Sequence, residues 1–353
     1  LLLISIDVPR WGAVPWPTIL LLGGLLIGLV LLVGSILYAI TFGPSDLSIG
    51  EVWGVVANKL GLGPDPELSP LRTATVWQLR LPRVLLAAVA GAGLSLCGVI
   101  MQSLLRNPLA EPYLLGVSSG ASTGAVLVLI AGLGGGVISF SAGAFVGSLG
   151  AFALTLLLSR LAGGTTDKIV LAGIAVTQGF SALTSFIIMI GADANVTRGI
   201  LYWLMGSFAN VSWEEVALTA AVLGCFLVLT IGMASSMDAF MFGEKEAVSL
   251  GVSVQRTRVV LLGCAALMTA VVVSSSGSIG FVGLVLPHIS RMLVGSRHRG
   301  LLPVSALLGA IFLLWADTIA RTLFAPLEVP VGVITALVGV PIFATILART
   351  RKR

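Results

Sequence analysis

Eight stretches of 17 residues or more contain no Asp, Glu, Lys or Arg: 11–45, 84–105, 112–159, 169–192, 216–237, 259–290, 300–316 and 329–348. A helix crosses the hydrocarbon core of a bilayer in about 20 mainly apolar residues. The 48-residue stretch 112–159 therefore holds two spans, divided at Gly132–Gly136, and the 32-residue stretch 259–290 holds two more, turning at Ser274–Ser278. The resulting spans are 17–42, 84–105, 112–133, 139–159, 169–191, 216–236, 257–275, 278–295, 301–322 and 330–348. Lipid offers the backbone no hydrogen-bond partner, and these runs are too long for barrel strands, so they are helices. The expected fold class is all-α: a polytopic membrane protein of about ten transmembrane helices, forming one domain over residues 1–353. Composition excludes a soluble fold, because only 10% of residues are charged, against about 25% in soluble domains.

The basic residues sit at the ends of apolar segments and form no stripe for nucleic acid, so the net charge of +5 reads as topology. Ten spans put both termini on one side. If that side is the cytoplasm, fourteen of the twenty Lys and Arg fall inside, as the positive-inside rule asks. Only Lys59, Arg72, Arg80, Arg83, Arg198 and Arg321 fall outside. Outside, 47–57 reads as a short helix at the membrane interface. Three cysteines, Cys97, Cys225 and Cys264, lie inside apolar runs without metal or disulfide spacing.

Gly116-Val-Ser-Ser-Gly120 matches the G-x-S-x-G pattern of serine hydrolases, but such a site needs a base and an acid beside the serine. Both histidines, His288 and His298, fall near the cytoplasmic face, so no catalytic residue is expected. Gly116, Gly120 and Gly124 read better as a small-residue stripe for close helix packing, repeated by Gly143 and Gly147. Asp317 is the one acid well inside a predicted span, with Arg321 four residues on. The pair is either an intrahelical ion pair or a functional site. The scarcity of buried carboxylates argues against an ion-driven secondary carrier, which needs them to hold its coupling ion. No G-x-x-x-x-G-K-[ST] loop occurs, so ATP-derived work must come from a partner. Residues 237–251 form an amphipathic cytoplasmic segment interrupted by Gly243 and Gly251, a candidate contact surface.

Six strings in order carry a family resemblance: Arg80-Leu-Pro-Arg83; Arg106-Asn-Pro-Leu-Ala-Glu-Pro-Tyr-Leu-Leu-Gly-Val-Ser-Ser-Gly120; Tyr202-Trp-Leu-Met-Gly206; Gly243-Glu-Lys-Glu-Ala-Val-Ser-Leu-Gly251; Gly280-Phe-Val-Gly-Leu-Val-Leu-Pro-His288; and Pro330-Val-Gly-Val-Ile-Thr-Ala336. From about residue 70 onward the chain resembles the FecCD-type permeases, membrane subunits of bacterial ABC importers for iron-siderophores, haem and vitamin B12. The resemblance implies a type II ABC importer permease fold in the bacterial inner membrane, with both termini cytoplasmic. It implies a second permease copy, a homodimer or a pair with a close homologue. It further implies two ATP-binding cassette subunits below and a periplasmic or lipid-anchored substrate-binding protein above. The translocation path would run at the dimer interface, lined by the fifth helix. The family's cytoplasmic gate falls on Asn107, Leu109, Thr165 and Thr166. Its coupling segment falls within 237–256, on Gly243, Glu244, Ala247, Leu250 and Gly251, and its binding-protein docking points on Arg80, Arg83 and Arg321. No cofactor or metal is expected in this chain, ATP and Mg being held by the partner ATPase. The implied cargo is an iron chelate, a siderophore first, with haem or cobalamin as alternatives.

Overall fold

The computed structural model describes residues 16–43, 47–131, 139–191, 193–325 and 327–350. The Gly132–Gly136 turn, Arg10 and the last three basic residues of the tail lie outside them. Fifteen α-helices follow in chain order: α1 Trp16–Ala39, α2 Ile49–Lys59, α3 Pro70–Ala74, α4 Leu81–Leu104, α5 Val117–Ala131, α6 Phe140–Leu161, α7 Thr166–Gly191, α8 Ala194–Leu204, α9 Trp213–Gly232, α10 Ala234–Phe240, α11 Glu244–Ser249, α12 Val254–Ser276, α13 Val282–Val294, α14 His298–Thr322 and α15 Val331–Thr350. Among the described residues seven helical stretches are long and apolar enough to cross a membrane, and α5, α13 and α15 are shorter apolar helices. These ten apolar helices fall on the ten expected spans.

The helix α4 is the axis of the bundle. It is buried along nearly its whole length and packs on α14, α12, α13 and α9. A π-wound turn, Thr75–Arg80, joins it to α3, and the Leu81 amide reaches back to the Val76 carbonyl. That wider turn falls just before Pro82, which has no N–H to continue the regular ladder. By contrast α1 lies against the outside of the bundle, with most of its apolar residues exposed. It touches α14 through Leu307 against Gly28 and through the Trp315 indole, which donates to Ser35 Oγ at 3.1 Å.

Glycine sets the closest crossings. A Cβ on Gly120 would overlap the carbonyl oxygen of Gly147, and one on Gly124 that of Gly143, so α5 and α6 touch backbone to backbone. Gly91 meets Gly309 in the same way between α4 and α14, where Ser95 and Ser305 hydroxyls also bond at 2.7 Å. The expected stripe is therefore present, with one correction. Gly116 does not join it: at φ 78° it forms the left-handed turn before α5, and faces Val176 of α7.

The turn expected at Ser274–Ser278 is also shifted. Ser274, Ser275 and Ser276 remain helical and return their hydroxyls to carbonyls of the preceding turn, so the chain reverses at Gly277–Phe281 instead. The interfacial helix expected at 47–57 is α2, capped by Ser48 and Glu51 in a reciprocal box. It folds over the end of α4 with Val52, Val55 and Val56 against Ile40, Val76 and Leu81.

Gly120→Val should destabilise the chain by about 1–3 kcal/mol or more, because backbone rather than a flexible side chain must move. Gly150→Ala, where a Cβ meets nothing within 4 Å, should leave the thermal unfolding midpoint in detergent unchanged or slightly raised.

Candidate functional site

Helix alternation brings four connections to one end: 105–116, 162–165, 233–253 and 295–297. In the first, Asn107 Oδ1 accepts the Leu109 amide at 2.9 Å, and Arg106 adopts φ 48°. Leu109 is left exposed. Thr165 stands just before α7, its carbonyl accepting the Ile169 amide at 3.1 Å. Thr166 donates to Glu244 Oε1 at 3.4 Å, and the same carboxylate is held by Arg258 at the start of α12. One residue of the implied gate thus touches one of the implied coupling segment. No hydrogen bond joins Asn107 or Leu109 to that pair among the described residues.

The implied coupling segment is two short helices, α10 and α11, broken at Gly243 with φ 123°. Ala247 is fully buried, while Leu250 (67% exposed), Phe242 and Val248 face out. Gly251, at φ 81°, turns the chain into α12. The segment therefore has an anchored side and an apolar outward side.

What holds α10 in place was not legible in the sequence. Asp238 Oδ1 accepts both the backbone N–H and ring Nδ1 of His298, each bond within 2.9 Å, and His298 Nε2 accepts from Ser103 Oγ at 2.6 Å. This has the connectivity of a Ser–His–Asp triad. The ring is only 1% exposed, however, and Ser103 sits in the last turn of α4, where carbonyls rather than N–H groups are presented. The relay ties α10 to α4 and α14. In the G-x-S-x-G string, Ser118 Oγ donates to Ser278 Oγ at 2.8 Å and Ser119 Oγ to the Gly116 carbonyl.

Between the 105–116 connection and α7 lies a second feature, a cavity of about 210 Å³ lined by Glu111, Tyr113, Leu114, Ile174, Thr177 and Gln178. Burial pushes the Glu111 carboxyl above the usual carboxylate range. The exposed face of α7 carries Gln178, Ser181 and Ser185 beside Phe186 and Met189.

At the opposite end the three arginines expected to be free for a partner are turned inward, with exposures of 4% (Arg80), 9% (Arg83) and 4% (Arg321). Arg83 grips Asp317 through Nε and Nη2 at 2.9–3.1 Å, and reaches Glu328 with Nη1 at 2.9 Å. Arg321 donates to the carbonyls of Ala39 and Phe42 at 2.8 and 3.0 Å, and Arg80 to those of Thr41 and Ile40. Both satisfy the last carbonyls of α1 and complement the negative end of its dipole. The intrahelical reading of Asp317 and Arg321 survives only as a loose 3.7 Å approach, because Arg83 is the main partner. Spacing along one helix could reveal Arg321. Arg83 and Glu328 are 234 and 11 residues from Asp317, at distances in sequence that carry no signal.

A bundle of ten apolar helices, with the two-helix segment α10–α11 clamped to its core at one end, has the architecture of a membrane permease subunit. Comparison with known proteins agrees: the model of the FecCD transport family matches residues 5–349, and the chain belongs to that family. It is 38% identical to the hemin transport system permease protein HmuU of Yersinia pestis, over 95% of this chain and 97% of that one. It is 40% identical to the vitamin B12 import system permease protein BtuC of Vibrio cholerae, over 92% and 93%. A solved structure described as a metal-chelate type ABC transporter in an inward-facing conformation superposes with TM-score 0.80 at 32% identity, over 95% of this chain and all of the other.

Asp317→Ala leaves the buried Arg83 without its main counter-charge. The expected loss is about 3–5 kcal/mol, read as a lowered unfolding midpoint, with α1 becoming accessible to proteolysis at Ala39–Phe42.

Proposed function

We propose that the chain carries an iron chelate, a siderophore in the first instance, inward across the bacterial inner membrane on energy supplied by separate ATPase subunits. The observation that carries this reading is the family match along nearly the whole chain. Relatives named for haem and for vitamin B12 match at similar identity, so both remain alternative cargoes. An ion-driven carrier is disfavoured because Asp317, the buried acid inside a span, is already engaged by Arg83.

In this proposal two copies pair and the exposed polar face of α7 lines the path between them. The gate comprises Asn107, Leu109, Thr165 and Thr166. Two ATP-binding cassette subunits hold ATP and Mg and receive the outward side of α10–α11, so Glu244 relays their movement to Thr166. Both termini face the cytoplasm. A periplasmic or lipid-anchored binding protein docks at the end carrying Arg80, Arg83 and Arg321. There Glu328, 30% exposed, is the internal carboxylate that a partner's carboxylate replaces.

Vesicles holding the whole importer, offered a panel of ferric siderophores, haem and cobalamin, should accumulate a ferric siderophore; uptake of haem or cobalamin alone would reassign the cargo. The purified chain by itself should hydrolyse no ATP. Changing Glu244 and Leu250 together to Ala should leave membrane insertion intact and ATPase activity running while uptake falls, whereas unchanged coupling would remove this segment from the relay. Glu328→Gln takes away the internal competitor and should tighten binding-protein docking, most visibly at low salt. Weaker or unaltered docking would move that surface elsewhere.

A further inference from the structure

A cavity of about 360 Å³ opens beside the clamp, lined by Gln102, Ser103, Arg106, His288, Arg291 and His298 among others, and no carboxylate contributes to its wall. Arg291 is half-buried, on the last turn of α13. Its Nη1 donates to Gln102 Oε1 at 2.6 Å. Gln102 is itself fixed, its amide nitrogen donating to the carbonyls of Gly283 and Leu284 at 3.3 and 3.2 Å. The neutral amide therefore aims the guanidinium and does not neutralise it. Across the cavity stands Arg106, held in its left-handed conformation.

Among the described residues neither Arg106 nor Arg291 forms an ion pair, although carboxylates are near. Asp238 is bound to His298 behind the wall, and Glu246 packs on Gly243 close to Arg106 without pairing with it. Two arginines thus line a space to which no carboxylate contributes, with the Ser296 hydroxyl beside them. Planar guanidinium forks match tetrahedral oxyanions through paired hydrogen bonds.

We propose that this cavity is a binding site for a phosphate group, supplied by an anionic phospholipid or as free phosphate. Met292 and Leu293, exposed immediately after Arg291, place the site where a helix meets the apolar phase, within reach of a lipid headgroup. Such sites recur where basic pockets lie between transmembrane helices at the cytoplasmic face.

The full chain is placed in nanodiscs of pure phosphatidylcholine or with added phosphatidylglycerol, and the first set is titrated with inorganic phosphate while the unfolding midpoint is followed. The midpoint should rise saturably in at least one arm; a rise with phosphate identifies the free ion, and a rise with phosphatidylglycerol alone identifies lipid. Arg291→Gln and Arg106→Gln should each weaken the effect by roughly tenfold, and Arg297→Gln, exposed outside the cavity wall, should not. Arg106 lies on an exposed loop, so its variant remains informative if Arg291→Gln fails to fold. The proposal is overturned by no rise in either arm, by a rise that both cavity variants retain, by one that Arg297→Gln loses equally, or by protection that only the ATPase subunit supplies.

Discussion

In a bilayer an apolar side chain gains little by leaving lipid for protein, so helices hold together where their backbones can come close enough for dense packing and for polar contacts. Here that condition is met at glycine. Gly91 against Gly309 sets α14 on α4, Gly98 against Gly283 sets α13 on α4, and Gly120 and Gly124 against Gly147 and Gly143 lock α5 to α6. Everything else is arranged around those crossings. The hydroxyl pair Ser95–Ser305 and the Gln102 bonds to Gly283 and Leu284 exist because the backbones are already within reach.

Charge is confined to the two ends, where it does different work. At one end Arg83, Asp317 and Glu328 form a buried set, while Arg80 and Arg321 fasten the carbonyl end of α1, a helix with few contacts of its own. At the other, Asp238 and His298 pin α10, and Glu244 joins α11 to α7 and α12. In the proposed coupling, a push on α11 would pass through Glu244 to the first turn of α7, with α10 held by the His298 clamp.

The helices were legible because hydrophobic length and charge-free intervals report directly on the membrane, and span ends agree to within a few residues. The glycine stripe was legible for the same local reason, except at Gly116, where a turn residue mimics the packing pattern. The candidate gate, coupling and docking residues rest only on the ordered strings shared with the family. Contacts such as Arg83–Asp317 and Ser103–His298–Asp238 join residues 60 to 234 positions apart, and no spacing rule reaches that far. The buried state of Arg80, Arg83 and Arg321 was likewise invisible. From sequence alone an arginine at a span end looks like a snorkelling or docking residue, and only the position of the α1 terminus reveals its inward partner.

The account stands on the chain being a passive conduit driven from outside itself by nucleotide hydrolysis. The direct measurement is cargo accumulation in vesicles containing the assembled importer, with ATP present on the ATPase side and ionophores collapsing both membrane potential and proton gradient. Accumulation should persist at its full rate under ionophore and stop when ATP is withheld. Accumulation driven by an imposed ion gradient without ATP, or abolished by the ionophore while ATP remains, would contradict it.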